Sequence, residues 1–148
     1  MMLKFRKAEI KDQSHLNQIS LASKKYWGYP DEWIEQWKDD LFISIDDITQ
    51  NTVQVAQFKE KIIGFCSVSE EGDFFEIDHL WILPEFVGKG YGKKLLDYTL
   101  GLVSHSTKPI QVVSDPNAEG FYKKSGFITI GKIESYPPGR FLPLMRKI

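Results

Sequence analysis

A glycine-rich turn is the most distinctive chemical feature of this sequence of 148 residues. Three of the eleven glycines fall within five residues, and no acid separates the lysines around them. Glycine lets the backbone approach a ligand closely, and the free N–H groups at the start of a helix attract anions. The turn is therefore predicted to bind an anion such as a pyrophosphate, and its sequence is Val87-Gly88-Lys89-Gly90-Tyr91-Gly92-Lys93-Lys94.

Spacing excludes two common phosphate-binding motifs at this turn. A dinucleotide fingerprint that starts at Gly88 requires glycine at position 93, where the chain has Lys93. A P-loop that ends in Gly92-Lys93 requires Ser or Thr at position 94 and glycine at position 87, which are Lys94 and Val87. A tight turn with a solvated lysine face remains the alternative to an anion site.

The pattern of apolar residues predicts the elements that position the turn. Alternating and β-branched runs indicate seven strands, and apolar residues at helical spacing indicate four helices. No internal repeat or long linker divides the chain, so we expect a single domain over residues 1–148. The predicted strands are 3–9, 52–58, 62–68, 74–83, 110–113, 127–134 and 141–146, and the predicted helices are 12–28, 29–41, 90–105 and 116–125.

Composition and charge limit the function classes. With 42% apolar and 14% aromatic residues, the chain is predicted to fold rather than remain disordered. A formal net charge of −1 argues against a nucleic-acid partner. No apolar run reaches the roughly 20 residues that span a bilayer, and the first residues lead into a charged segment. We therefore expect a cytoplasmic protein with no membrane partner.

Cysteine and histidine usage argues against two further kinds of site. The single cysteine, Cys66, lies in an apolar run with no basic neighbour, so we expect a buried, inert thiol rather than a nucleophile. His15, His79 and His105 lack the clustered spacing of metal ligands, so we expect no metal site.

The near-neutral total charge hides two regions of opposite sign. Residues 31–47 contain seven acids and one base, and residues 121–148 contain six bases and one acid. Solvated faces are the simplest interpretation of such runs. If the two regions instead border one cleft, the electrostatic field has opposite signs over its two halves.

Two segments of the chain resemble the GNAT superfamily of acyl-CoA-dependent N-acyltransferases. Residues 77–92 are similar to the family's central strand and its Q/R-x-x-G-x-G/A pyrophosphate loop, with Val87 in place of Arg or Gln. Residues 115–127 are similar to its asparagine-led helix that ends in F-Y-x-x-x-G-F. The resemblance implies an α/β fold of the α+β kind, in which about four helices flank a mixed, mostly antiparallel twisted sheet of about seven strands.

The resemblance also implies acetyl-CoA as co-substrate. Because phosphate binding in the family is mainly through backbone N–H groups, we expect Val87 to weaken or reshape the loop rather than abolish binding. Backbone N–H groups around Trp81 and Ile82 would hold the pantetheine arm and polarise the thioester, and Asn117 would contact the arm or serve the helix start. The implied coenzyme-binding residues are Trp81, Ile82, Val87, Gly88, Lys89, Gly90, Tyr91, Gly92, Lys93, Asn117 and Tyr122.

The implied reaction is direct attack of an amine on the thioester in a ternary complex. An alkyl amine with a pKa near 10.4 is neutral at pH 7 only about once in 2,500 molecules, so a proton acceptor matters. Glu76 lies at the position of the general base in some family members, and Asp78, His79 or a water are the alternatives. Simple alternation puts Asp78 on the face of Glu76 and His79 on the other, unless a bulge intervenes. Tyr122 would protonate the departing thiolate.

The expected acceptor is a primary amine of a small molecule or an amino-acid-like compound. Aromatic residues beside carboxylates suit a cationic amine, whereas Arg140 could bind an acceptor's carboxylate. Acetylation of protein amines, and a coenzyme- or partner-binding module without catalysis, remain alternatives, and a homodimer is left open. The predicted acceptor-binding residues are Trp27, Tyr29, His79 and Arg140.

Overall fold

Seven strands form one sheet in the computed structural model, which describes residues 2–148. They are β1 (Leu3–Lys7), β2 (Thr52–Phe58), β3 (Lys61–Glu71), β4 (Phe74–Ile82), β5 (Ile110–Val113), β6 (Phe127–Ser135) and β7 (Arg140–Lys147). Their order across the sheet is β1-β2-β3-β4-β5-β7-β6. All neighbours are antiparallel except β4 and β5, which are parallel. The predicted mixed, mostly antiparallel sheet is confirmed.

Five α-helices accompany the sheet, one more than predicted. Within residues 2–148, no helix combines the length and the apolar character needed to cross a membrane. The predicted helix 90–105 is shorter than expected and ends at Gly101. The helices are α1 (Gln13–Tyr26), α2 (Asp31–Leu41), α3 (Ile45–Gln50), α4 (Tyr91–Gly101) and α5 (Glu119–Lys124).

The unpredicted helix is α3, and a capping box begins it. The Asp47 N–H donates to Ser44 Oγ at 3.0 Å, and the Ser44 N–H donates to Asp47 Oδ2 at 3.1 Å. These two bonds satisfy backbone donors that a helix start leaves without partners. A helix of six residues is too short to show a clear apolar period, but the Ser-x-x-Asp spacing was a usable signal.

Apolar side chains form separate clusters on the two faces of the sheet. Leu95 and Leu96 of α4 pack with Cys66 of β3 in one cluster. Leu16 of α1 packs with Phe65 of β3 in the other, because successive strand residues point to opposite faces. Each fully buried leucine contributes about 1.5–3 kcal/mol to stability, so the helices hold the central strands firmly.

The parallel strands β4 and β5 separate after a short pairing. Pairing runs from Phe75 and Ile110 to Ile77 and Val112, and it stops there. Beyond this point β4 continues to Ile82, paired with β3 alone along its length. The separation leaves a gap at the centre of the sheet, directly before the glycine-rich turn.

A β-bulge at Asp78 lies at the point where the strands separate. Adjacent residues of β3 pair with Ile77 and His79, so Asp78 is an inserted residue. The insertion changes the face on which the residues after it lie. Ile77 and Leu80 both pack in the cluster that contains Leu95 and Leu96 of α4. His79 therefore lies on the face of Glu76, and the prediction from simple alternation is corrected.

Candidate active site

The predicted anion-binding turn leads directly into α4. Gly88 and Gly90 have φ values of 84° and 81°, a left-handed conformation that costs other residues roughly 1–2 kcal/mol. Gly90 is the N-cap of α4 and has no side chain to cap it. The N–H groups of the first helical turn have no acceptors within the helix, so they can bind an anion.

A largely apolar groove of about 500 Å³ extends from this turn into the gap between β4 and β5. Lys89 is exposed beside it and is not part of its lining. The groove brings together the other residues predicted to bind the coenzyme, which are Trp81, Ile82, Val87, Gly88, Gly90, Tyr91, Gly92, Lys93, Asn117 and Tyr122.

The unpaired edge of β4 offers backbone groups to the groove. Ser23 Oγ donates to the Ile82 carbonyl at 3.0 Å, and the Leu83 N–H donates to the Ile63 carbonyl of β3 at 2.8 Å. The N–H and C=O of one strand residue point to the same side, and successive residues point to opposite sides. The Ile82 N–H therefore faces the groove, whereas the Trp81 N–H faces β3.

A second cavity, of about 540 Å³, adjoins the groove at the bulge. Ile77, Asp78, His79 and Val113 line both spaces. We call the second space the acidic cavity, because Lys and Arg are absent from its lining within residues 2–148. Six carboxylates line it: Asp39, Asp40, Asp47, Glu71, Glu76 and Asp78.

The acid-rich segment of the sequence supplies half of these carboxylates. Asp39 and Asp40 lie in the last turn of α2, and Asp47 lies in the first turn of α3. Three acids of this segment therefore line one cavity, and the sign of the field over each half of the cleft stays a prediction. In the described part of the chain, no three His, Cys, Asp or Glu side chains are grouped so that they could hold a metal ion.

Asp78 is the carboxylate that borders both spaces. Asp78 is exposed overall, but the surrounding protein limits the hydration of its carboxyl and raises the pKa to about 7; the Ser69 hydroxyl opposes this rise, and the nearby Glu76 and Glu71 add to it. A carboxyl with a pKa near the working pH is well suited to accept a proton. Glu76 lines the acidic cavity but not the groove.

His79 is buried and serves as a hydrogen-bond acceptor. Its Nδ1 accepts a hydrogen bond from Trp81 Nε1 at 3.1 Å, and its ring packs 5.5 Å from the ring of Phe65. Burial lowers the pKa of His79 to about 4, so the imidazole is neutral at pH 7. Because Nδ1 is the acceptor, the proton of the neutral imidazole is on Nε2, and His79 keeps one N–H donor.

Tyr122 lies in the wall of the groove between two aromatic rings. It is 5% exposed, and its ring lies 5.2 Å from that of Phe121 and 5.3 Å from that of Phe127. Burial raises the pKa of the Tyr122 hydroxyl, and the neighbouring Cys66 adds to this effect. The hydroxyl therefore stays protonated at neutral pH, but it is a weaker acid than its ordinary pKa suggests.

Cys66 has the properties that the sequence predicted. It is buried and free, and burial raises the pKa of its thiol to about 12. A thiol that stays protonated at neutral pH is a poor nucleophile.

Tyr29 and Arg140 belong to an internal network rather than to either cavity. Lys24 forms a buried ion pair with Asp115. The Tyr29 hydroxyl donates to Asp115 at 3.1 Å, and it accepts hydrogen bonds from Asn117 Nδ2 at 3.0 Å and from Arg140 Nη2 at 3.1 Å. Asp115 also accepts from the Asn117 N–H at 2.8 Å, so Asp115 caps the short 3-10 helix Pro116–Ala118 that precedes α5.

Packing against α2 explains why Arg140 lies away from the cavities. Its guanidinium stacks 4.5 Å from the centre of the Trp37 ring, and Trp37 Nε1 donates to the Tyr136 carbonyl at 3.1 Å. These contacts fix the loop before β7 to α2. Tyr29 and Arg140, which the sequence predicted to bind the acceptor, therefore lie outside both the groove and the acidic cavity.

The remaining predicted acceptor residues lie at the cavities. Trp27 is 45% exposed, packs edge to face with Tyr26 at 5.3 Å, and lines the groove with it. His79 lines both spaces. The sequence carries no signal for Ser23, Ser67 and Glu71, which belong to no motif, and it marked Asp39, Asp40 and Asp47 only as members of the acid-rich segment.

A family model and several known proteins match this chain. The model described as an acetyltransferase (GNAT) domain matches residues 29–137. A peptidyl-lysine N-acetyltransferase of Salmonella typhimurium, YjaB, is 32% identical over 90 residues, which are 61% of this chain. That match spans 59% of the relative's length, and a match to YjaB of Escherichia coli spans 56%.

Two solved structures show the same fold. The PaiA N-acetyltransferase of Thermoplasma acidophilum, in complex with coenzyme A, has a TM-score of 0.79 at 23% identity, with 99% of each chain covered. A GCN5-related N-acetyltransferase of Rhodopseudomonas palustris has a TM-score of 0.81 at 22% identity, covering 99% of this chain and 96% of that one.

Proposed function

Because the chain belongs to the acetyltransferase (GNAT) domain family, we propose that it transfers the acetyl group of acetyl-CoA to a primary amine. One observation carries this proposal. An apolar groove that begins at an anion-binding turn meets an acidic cavity at a single bulged strand, where Ile77, Asp78 and His79 line both. An acyl donor and a cationic acceptor can thus approach each other from two sides.

The coenzyme occupies the groove in this proposal. The first-turn N–H groups of α4, after Gly88 and Gly90, bind the pyrophosphate, which does not require a side chain at Val87. The pantetheine arm lies along the free edge of β4 as an added strand, with the Ile82 N–H as a donor. Lys93 lines the groove beside the turn and adds positive charge.

The reaction is nucleophilic attack accompanied by proton transfers at the nitrogen and at the sulfur. The amine nitrogen attacks the thioester carbonyl carbon, the C–S bond breaks, and an amide and a thiolate form. A carboxylate takes one proton from the ammonium before attack and later returns it to solvent. The Tyr122 hydroxyl gives its proton to the thiolate, and the second proton that the nitrogen loses as the amide forms restores the hydroxyl through solvent. The Tyr122 hydroxyl and the CoA thiolate lie in the same apolar groove in this proposal. Burial there raises the pKa of Tyr122, and it also disfavours the bare thiolate. Proton transfer from the hydroxyl to the thiolate therefore stays feasible.

Two carboxylates are the candidates for the proton acceptor. The sequence favoured Glu76, and Asp78 has the advantage that it borders the groove as well as the acidic cavity. Its raised pKa matches a base that works near neutrality. We assign the direct role to Asp78, with Glu76 beside it, and His79 as a neutral donor at the junction.

The acceptor class has two candidates. The acidic cavity favours a cationic small-molecule amine, and the internal bonds of Arg140 remove the main support for an acceptor with a carboxylate. The alternative is a lysine side chain of a protein, which is favoured by the description of the YjaB relatives as peptidyl-lysine acetyltransferases.

Calorimetry and a screen of acceptors test this proposal. Acetyl-CoA is expected to bind with measurable heat, and the release of free CoA thiol is then measured with small amines and with lysine-containing peptides. The better class of acceptor in this screen identifies the substrate class. Absence of binding up to millimolar acetyl-CoA would contradict the proposal, whereas binding without transfer would favour a non-catalytic module.

A further inference from the structure

The acidic cavity carries more negative charge than one reacting amine requires. Asp78 and Glu76 are sufficient to receive a proton, yet four further carboxylates line the same space. Among residues 2–148, neither Asp39 nor Asp40 has a Lys or Arg partner in an ion pair. Both carboxylates are exposed at this cavity, so they are accessible to a cationic ligand from solvent.

A buried hydroxyl in the same cavity also lacks a partner. Ser67 is 1% exposed, and its Oγ has no hydrogen-bond partner among the residues that the structure describes. Ser67 pairs with His79 across β3 and β4, and it lines the acidic cavity. Since buried polar groups are nearly always satisfied, this hydroxyl indicates a polar ligand in the cavity.

We propose that the acidic cavity binds a second cationic group of the acceptor, so the preferred acceptor carries two ammonium groups joined by a flexible chain. The proposal rests on the proposed acetyl transfer, because the reacting amine must lie at the Asp78 end. The second cation is neutralised by Asp39 and Asp40 at the end of α2, and the Ser67 hydroxyl accepts a hydrogen bond from an ammonium N–H. Asp47 contributes less, because its Oδ2 already caps α3.

Two acceptors of equal length test the second cation. 1,4-Diaminobutane and 4-amino-1-butanol present the same reacting amine, and a hydroxyl replaces the second ammonium in the alcohol. We expect kcat/KM for the diamine to be about tenfold higher. The double variant Asp39→Asn/Asp40→Asn should reduce this preference to about threefold or less.

A matched variant controls for the loss of net charge. Asp31→Asn/Glu32→Gln removes two charges from the same helix, at the end that does not line the acidic cavity. This variant should keep the preference for the diamine. Equal loss of preference in both double variants would overturn the inference, because it would then reflect total charge.

Peptide acceptors distinguish a free diamine from a basic protein segment. One peptide has a lysine next to the reacting lysine, and its control has norleucine there. A preference confined to the two-lysine peptide supports the second cation and assigns it to a protein acceptor. Rates equal within about twofold in both the small-molecule and the peptide pair would overturn the inference while leaving acetyl transfer intact.

Equilibrium binding makes the test independent of turnover. With CoA present, 1,4-diaminobutane should bind about tenfold more tightly than 4-amino-1-butanol, as measured by calorimetry. Equal affinity for the two compounds would overturn the inference. Tighter diamine binding without any acetylation would instead support the cation site and count against the proposed enzymatic function alone.

Discussion

Asp78 reaches the junction of the two cavities because β4 contains one inserted residue. The sequence identified Glu76, Asp78 and His79 as candidates, but it could not fix which faces they share. A bulge depends on the pairing of β4 with β3, and this pairing is not encoded in the local alternation of residues. For the same reason the sequence could not place Tyr29 and Arg140, whose partners lie far along the chain.

Asp78→Asn should remove the rise of activity with pH. The ionised carboxylate is the form that accepts a proton, and its pKa is raised to about 7, so kcat/KM of the unaltered protein should increase through about pH 7. The variant should lack this rise and lose about 10²-fold or more in kcat/KM. Asp73→Asn, in the turn before β4, lines neither cavity and is the control. A retained rise together with unchanged kcat/KM in Asp78→Asn would contradict the assignment of Asp78 as the base.

The same substitution should stabilise the protein at alkaline pH. Because the pKa of Asp78 is higher in the folded state, the folded protein holds this proton more tightly than the unfolded chain does. The stabilisation that comes from this tighter proton binding by Asp78 is complete below about pH 4, and it is lost as the pH rises through about 7. The unaltered protein and Asp78→Asn should thus have the same melting temperature near pH 4. Near pH 8, Asp78→Asn should have the higher melting temperature.

Tyr122→Phe should lower turnover without unfolding the protein. The substitution keeps the ring between Phe121 and Phe127 and removes only the hydroxyl that protonates the thiolate. We expect kcat to fall by about 10²-fold, with little change in the Kd for acetyl-CoA. Tyr98→Phe, an exposed residue of α4 outside both cavities, should leave kcat unchanged. Unchanged kcat in Tyr122→Phe would remove its assigned role.

At the scale of elements, α2 has a pair of acids at each end. Asp31 and Glu32 lie at its first turn, where carboxylates interact favourably with the helix dipole. Asp39 and Asp40 lie at its last turn, where the same dipole disfavours them. Charge that weakens a helix and lines a cavity is a sign of a functional constraint on the sequence.

Asp39→Asn/Asp40→Asn should therefore make the fold more stable. Removing each carboxylate from the negative end of α2 should add about 0.3–1 kcal/mol to the free energy of unfolding at low ionic strength. Asp31→Asn/Glu32→Gln should instead lower the free energy of unfolding, because it removes favourable charges from the first turn. Urea denaturation of both variants gives the comparison, and a loss of stability in both would contradict this account of α2.

The turn before α4 requires glycine for its backbone conformation. Gly90→Ala places a side chain at a φ of 81°, so it should lower the free energy of unfolding by about 1–2 kcal/mol and weaken acetyl-CoA binding. Gly101→Ala, at the other end of α4, meets no atom within 4 Å and should gain up to about 1 kcal/mol. Unchanged acetyl-CoA affinity in Gly90→Ala would contradict the assignment of the turn to the coenzyme.

Most elements could be predicted from local patterns. The strands β2 and β5 match their predicted bounds, because β-branched runs and turn residues mark both ends. The exception is α3, which is stabilised by its capping box and by one buried residue, Ile48, rather than by a periodic face. Cavity shape could not be predicted, since it depends on where β4 and β5 separate.

At the scale of the whole molecule, a net charge of −1 conceals an uneven distribution of acidic and basic residues along the chain. The acid-rich segment folds against the bulge of β4 and lines a cavity without Lys or Arg among its described residues. The glycine-rich turn lies at the other end of the adjoining groove. A single break in a parallel strand pair thus joins the glycine-rich turn, which we propose binds an anion, to the acidic cavity, which we propose binds a cation.

The central claim is that acetyl-CoA and an amine meet at this break. The most direct test incubates the protein with acetyl-CoA and a primary amine, and measures free CoA thiol together with the acetylated amine by mass spectrometry. The account predicts equal amounts of both products, formed faster than without protein and slowed by Asp78→Asn. Tight binding of acetyl-CoA with no acetylated product from any small amine or lysine peptide would contradict it.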